Sequence, residues 1–212
     1  MKQAKISEAV VKRLPIYLRY LLHMQQMQIH TVSSQHIGKV LDLNPAQIRK
    51  DLASFGEFGK KGIGYDVDYL VEKIRHILKL DREIAVVLVG AGHLGHAISN
   101  YNAYLKDNMR IAAIFDADPA KLGTQIAGIA IQPLEELSET IATRNIRLAI
   151  ITVPAPAAQK VADQLIAAGI EGILNFAPIS IRTDRDVKIY NADVTSSLQS
   201  LAFYLNEKKE IT

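Results

Sequence analysis

The sequence predicts an α/β protein in two parts, an N-terminal winged-helix domain over residues 1–82 and a Rossmann-like domain from residue 83 onward. Three observations carry this. Val40 to Phe55 reads as a helical pair of the DNA-recognition kind, with a glycine- and lysine-rich hairpin behind it. From Ile84 short apolar runs alternate with helical stretches, the pattern of a parallel sheet with crossover helices. The first of those runs ends in Gly90-Ala91-Gly92-His93-Leu94-Gly95.

Taken in order, Val10, Leu14, Tyr17, Leu18, Leu21 and Leu22 recur at helical spacing and predict a first helix from Ser7 to about Gln28, with Pro15 inside it. Ser33 is placed to cap a second, short helix carrying Ile37, Val40 and Leu41. Asn44 followed by Pro45 restarts the chain as a third helix, because proline at the first helical position gives up an N–H that would have no partner. Ile48, Leu52 and Phe55 share its inner face. Ala46, Gln47, Lys50, Ala53 and Ser54 share the outer one, with Arg49 on the flank. Long donors reach base edges in a major groove and small residues permit close approach, so this face suits DNA. The hairpin at Phe55 to Tyr65 holds four glycines around Lys60 and Lys61, whose charges are placed to meet phosphates as a wing. Val67 to Leu80 predicts a further amphipathic helix, and Asp81-Arg82-Glu83 the junction.

Charge agrees with this division. Residues 1–82 hold 14 Lys+Arg against 8 Asp+Glu, whereas residues 83–212 hold 11 against 14, inside a net charge of +3. A basic module for nucleic acid joined to a more acidic domain gives such a split. With no cysteine, any redox sensing falls to a bound cofactor rather than a thiol. Apolar runs such as Ile84 to Val89 fall far short of the ~20 residues of a membrane span, and the N-terminus has no signal-peptide core, so a cytoplasmic protein with no membrane partner is expected.

In the glycine motif, Gly90 permits the tight turn, Gly92 lets the backbone approach a pyrophosphate, and Gly95 lets the following helix pack on the strand. Ala91, His93 and Leu94 complete a helix N-terminus whose N–H groups favour an anion. The next strand, Ile111 to Phe115, ends in Asp116, placed to accept from ribose hydroxyls. An acid there repels a 2′-phosphate and favours NAD(H) over NADP(H). Asp118 is an alternative acid, and Lys121 is expected near the adenine end. The remaining strand ends, Thr152-Val153-Pro154 and Asn175-Phe176-Ala177-Pro178, are expected to line the same crevice. They are mostly apolar, so the neutral reduced nicotinamide is easier to accommodate than the cationic oxidised ring, and NADH is favoured over NAD+.

These segments together resemble the Rex family, the bacterial redox-sensing transcriptional repressors. The likeness runs from about Ser7 to Leu205 and includes RLPIYLRYL at 13–21, QIRKDLASFGEFGKKGIGYDV at 47–67, VGAGHLG at 89–95, FDADPAKLG at 115–123, VPAPAAQKVAD at 153–163 and GIEGILNFAPI at 169–179. The resemblance implies a homodimer that binds a palindromic double-stranded operator when NADH is scarce and releases it when NADH rises. It implies DNA contacts from Arg49, Lys50 and Lys61, and a redox-coupled cluster of Arg19, Tyr101 and Asp193. It also implies a last helix, about Ser196 to Asn206, that swaps between subunits to fix the dimer, dividing the chain at 1–82, 83–192 and 193–212. One departure is Val194, where some members have an aromatic residue covering the nicotinamide.

An NAD-dependent oxidoreductase and a regulator sensing another nucleotide, such as a coenzyme A fragment, are the alternatives. The first needs an acid or base beside the nicotinamide. Of the six histidines, His23, His30, His36 and His76 fall in the N-terminal domain, and His93 and His96 lie at the pyrophosphate end. No catalytic residue and no metal site is expected.

Overall fold

The structure, a computed structural model, describes residues 6–55, 59–60, 64–104 and 108–207. It divides into two compact units with the boundary between Arg82 and Glu83.

The first unit is built from α1 (Glu8–Gln26), β1 (Thr31–Val32), α2 (Ser34–Leu41), α3 (Pro45–Ala53), β2 (Gly59–Lys60), β3 (Gly64–Asp66) and α4 (Val67–Ile77). The starts of α2, α3 and α4 are set by side-chain caps: Ser33 accepts from the N–H of His36, Asn44 from Ala46 and Asp66 from Tyr69. Helix α1 runs on through Pro15. A left-handed residue, Asp42, ends α2 and turns the chain into α3. The strands form an antiparallel sheet in the order β1-β3-β2, so the hairpin after α3 is a wing anchored to the body by β1. Leu14, Tyr17 and Leu21 of α1, Ile48 and Leu52 of α3, and Leu70 and Ile74 of α4 share one core. Lys61 lies outside the described residues.

The second unit is a seven-stranded sheet in the order β10-β9-β8-β4-β5-β7-β6. The strands are β4 (Ile84–Val89), β5 (Met109–Asp116), β6 (Gln125–Ile126), β7 (Ile129–Pro133), β8 (Leu148–Ile151), β9 (Gly172–Asn175) and β10 (Lys188–Asn191). All neighbours run parallel except the β6–β7 hairpin. Helix α5 (His93–Tyr104) lies between β4 and β5, α6 (Leu137–Arg144) between β7 and β8, and α7 (Ala155–Ala167) between β8 and β9, and α8 (Val194–Glu207) follows β10. Val87, Val89 and Phe115 face α6 and α7, while Leu88, Ile111 and Ile114 pack with Ile98 of α5. Burial on both faces explains the unbroken apolar runs in the sequence. The chain leaves β4 toward β5 on one side and later returns to β8 on the other. That reversal opens a crevice beyond the carboxyl ends of β4 and β8.

Sequence patterning misses β1, β6, β7 and β10. β1 and β6 have two residues each, β7 buries only Ile131, and β10 is exposed along much of its length, so no apolar run marks it.

Candidate functional site

The crevice is a cavity of about 1030 Å³, at the upper end of the size of ordinary small-molecule sites. Its floor is the turn after β4. Gly90 has φ of +108°, and a Cβ there would come within 2.8–2.9 Å of the Thr152 and Val153 backbone. At Gly95 a Cβ would lie 2.0 Å from the Gly90 carbonyl oxygen, so α5 closes on the turn only without a side chain. Gly92 differs, because a Cβ on it meets nothing within 4 Å. The backbone at Gly92 therefore faces the open cavity, beside the first N–H groups of α5, which have no partner within their helix. Such a cradle fits a pyrophosphate.

Asp116 closes one side. It is 8% exposed, and its carboxylate accepts from the N–H of Ala91 at 2.6 Å, the N–H of Asp118 at 2.8 Å and Lys121 Nζ at 3.0 Å. Burial pushes its pKa up, but the Asp118 N–H, the Lys121 ammonium and the Ala91 N–H outweigh that and hold the carboxyl below its ordinary value. Three of roughly four acceptor positions are thus filled, and the last is available to a hydroxyl. Asp118 Oδ2 lies 3.8 Å from Lys121 Nζ, so Asp116, Asp118 and Lys121 together keep a formal charge of −1.

Of the sequence-predicted crevice residues, Gly90, Gly92, Leu94, Asp116 and Lys121 line the cavity, as do Thr152, Val153, Pro154 and Phe176. Thr152 has a second task, since its hydroxyl donates to the Gly90 carbonyl at 2.7 Å and fixes the turn. Ala91, Gly95, Asn175 and Ala177 are buried and do not line it. Asn175 uses its amide to shape the chain that follows it, and Ala91 gives its N–H to Asp116. His93 is exposed at the start of α5, and Pro178 is exposed beyond the wall. Ala157, Lys160, Val161 and Gln164 of α7 also line the cavity, on the helical spacing i, i+3, i+4, i+7, a signal the sequence analysis leaves unused.

In the first unit the outer face of α3 presents Ala46, Arg49, Lys50 and Ser54, all exposed. Beneath them Asp51 is fully buried at 0% exposure. Arg13 Nε and Nη2 donate to its two oxygens at 2.6 and 2.8 Å, Tyr17 Oη donates at 2.8 Å and Gln47 Nε2 at 2.6 Å. Burial pushes the Asp51 carboxyl up, yet hydrogen bonds from Arg13, Tyr17 and Gln47 hold it below its ordinary value, and burial raises the Tyr17 phenol. α3 is thereby bolted to α1, and Gln47, expected at the DNA, is half-buried and tied inward. Arg49 Nη1 donates to Ser34 Oγ at 3.0 Å, and Ser54 donates to the Asp51 carbonyl. Lys60 stands in β2.

Arg19 is exposed on α1 in the first unit. Tyr101 is 66% exposed on α5 in the second. Asp193 is also exposed, and its carboxylate caps α8 by accepting the Ser196 N–H at 2.9 Å, with the Ser196 hydroxyl donating to its other oxygen. Those two bonds hold its pKa low.

A winged helix with an outward-facing helix α3, joined to a Rossmann unit whose glycine turn and buried carboxylate line an open crevice, defines a nucleotide-responsive DNA-binding protein. Comparison narrows the class. Residues 5–53 match the family described as "Putative DNA-binding protein N-terminus", and residues 81–179 the family described as "CoA binding domain". The redox-sensing transcriptional repressor Rex of Brevibacillus brevis is 75% identical over 204 residues, covering 96% of this chain and 99% of that protein. The crystal structure of RSP with β-NAD+ and operator DNA is 35% identical, with a TM-score of 0.90 over 98% of this chain and 96% of that one. RSP with β-NADH is 34% identical, with a TM-score of 0.87 over 98% of each. The chain belongs to the Rex family of redox-sensing transcriptional repressors.

Proposed function

We propose that this chain is a redox-sensing repressor that holds a palindromic operator through α3 and its wing and releases it when the crevice takes NADH. The observation that carries the reading is the match over 98% of the chain to RSP in both settings, with β-NAD+ and operator DNA and with β-NADH.

In this reading Gly90 and Gly92 bring the backbone to the pyrophosphate, and Asp116 offers its remaining acceptor to the ribose. The formal −1 of Asp116, Asp118 and Lys121 opposes a 2′-phosphate, and equally the 3′-phosphate of coenzyme A. The dinucleotide supplies a nicotinamide that is cationic when oxidised and neutral when reduced. Val153, Pro154 and Phe176 provide apolar surface that accepts the neutral form at lower cost. Arg19, Tyr101 and Asp193 are the residues assigned to the redox response. Val194 leaves the nicotinamide less shielded from water than an aromatic residue would.

On the DNA side Arg49, Lys50, Lys60 and Lys61 supply cations for phosphates and base edges, while Ala46 and Ser54 let α3 sit close and Gln47 stands beside them, held by its bond to Asp51. The protein works as a homodimer in the cytoplasm, where its DNA is, and acts by binding without turnover. Val194, Leu198, Leu201 and Leu205 of α8 are 64%, 61%, 58% and 67% exposed in the single chain. Their burial against a second subunit, with α8 exchanged, accounts for an apolar face that would otherwise meet water.

Ligand and DNA are linked because each favours a different dimer arrangement, and decisive switching takes about 5 kcal/mol of differential binding. A gel-shift titration of a palindromic operator at fixed total nucleotide tests this. Release as the NADH share rises supports it, and an operator complex indifferent to that share contradicts it.

A further inference from the structure

One buried side chain joins the wall of the crevice to the base of α8. Asn175, the last residue of β9, is 0% exposed. Its Nδ2 donates to the Ile179 carbonyl at 2.8 Å, to Asn191 Oδ1 at 2.9 Å and to the Ala177 carbonyl at 3.1 Å, while its Oδ1 accepts the Ala177 N–H at 2.9 Å. Its backbone carbonyl accepts the N–H of Ala192 at 2.8 Å. Two amide protons serve three acceptors, so no donor is left for a ligand. On one side of this knot stands Phe176, which lines the cavity. On the other, two residues beyond Asn191, stands Asp193, the cap of α8. A buried amide whose donors are all used is costly to pull apart, so the segments it joins move together.

We propose that Asn175 is a positioning residue that makes the Phe176 wall and the Asn191–Asp193 base of α8 one rigid piece, through its bond to Asn191. Displacement of the wall by a reduced or oxidised nucleotide is then delivered to the helix at the subunit contact rather than absorbed in the intervening chain. The inference rests on the reading of the chain as a repressor released by NADH, with α8 between subunits. Backbone pairing of β10 with β9 survives loss of the side-chain bond. What is lost is the side-chain tie between the end of β10 and the turn at 175–179, while the Ala192 N–H bond to the Asn175 carbonyl remains. The relay needs an acceptor at Asn191 and no particular charge there.

Asn191 is exposed, so its substitution leaves no core cavity. The test uses the full chain as wild type, Asn191→Ala and Asn191→Asp, with a palindromic duplex selected by the wild-type protein from random sequence. Operator affinity is measured with and without saturating NADH, and NADH affinity is measured on free protein. In Asn191→Ala the loss of operator affinity caused by NADH shrinks about three- to tenfold, the worth of one hydrogen bond, while both separate affinities stay within about twofold. Asn191→Asp, which keeps an acceptor, responds as wild type does. A wild-type response in Asn191→Ala, an equal loss in both variants, or loss of NADH binding itself would each overturn the proposal. A wild-type protein that ignores NADH while both variants ignore it too brings down the underlying reading and this inference together.

Discussion

The carboxylate of Asp116, at the end of β5, accepts the backbone N–H of Ala91 at 2.6 Å, inside the turn that follows β4. One acid therefore shapes the phosphate turn and faces the cavity with its remaining acceptor. Turn geometry and the proposed ribose contact would both depend on this one carboxylate.

Asp116→Ala strips both roles, leaving the buried Ala91 N–H without its partner and Lys121 without its nearest counter-ion. NADH affinity is expected to fall about ten- to a hundredfold, in line with loss of charge-assisted hydrogen bonds, as read by titration of NADH fluorescence. Operator affinity without nucleotide stays near that of wild type, giving a repressor that NADH releases poorly. Unchanged NADH binding would show that Asp116 serves the turn alone.

Lys50 is exposed on the outer face of α3. Lys50→Ala is expected to weaken operator binding, with the slope of log affinity against log salt reduced by about 1 if it meets a phosphate, and to leave NADH affinity intact. Filter binding across a salt series checks this. A variant that loses NADH binding instead has its role misassigned.

Asp51 bolts α3 to α1, and Asp51→Ala leaves Arg13 beside a vacated site. The expected loss is about 3 kcal/mol, toward the low end for a broken buried pair because the Arg13 side chain keeps 24% of its exposure and can reach water. Urea unfolding of the first unit, followed by its own probe, measures it. A loss under about 1 kcal/mol would mean that the network adds little beyond the apolar core.

Acid acts through the same groups. Asp51 and Asp116 both titrate lower in the folded chain than in the unfolded one, so each contributes stability that is fully present above about pH 4 and is lost as pH falls through the lowered folded value. Urea midpoints are expected to be level from about pH 7 to 5 and to drop below about 4. Asp51→Asn flattens that drop for the first unit, and Asp116→Asn for the second. Midpoints that rise on acidification would contradict the shifts.

Removal of the chain from Val194 onward takes away the exposed apolar face of α8. The truncated protein is expected to sediment as a monomer and to bind the operator far more weakly, because one head no longer brings in the other. A truncated protein that stays dimeric would place the subunit contact elsewhere.

Much of this was legible in the residues because the signals are local. Asn44-Pro45 marks the start of α3, the glycines at 90 and 95 each meet the steric need their spacing announces, and Gly92 faces open space. Non-local packing is what hid the rest. Asp51 has no local partner that marks it as buried, and only α1 brings Arg13 and Tyr17 to it from 34 to 38 residues away. Asn175 reads as a crevice residue because it ends a strand, and only the return of the chain at Asn191 turns its amide inward. Short edge strands such as β10 owe their form to a neighbour rather than to their own composition.

The central claim is that the crevice and the DNA-reading face are coupled, and linkage makes the coupling reciprocal. The most direct measurement is the NADH affinity of this protein free and in complex with saturating operator. The account predicts weaker NADH binding on the operator, by the same factor by which NADH weakens operator binding. Equal NADH affinity in the two states would contradict it.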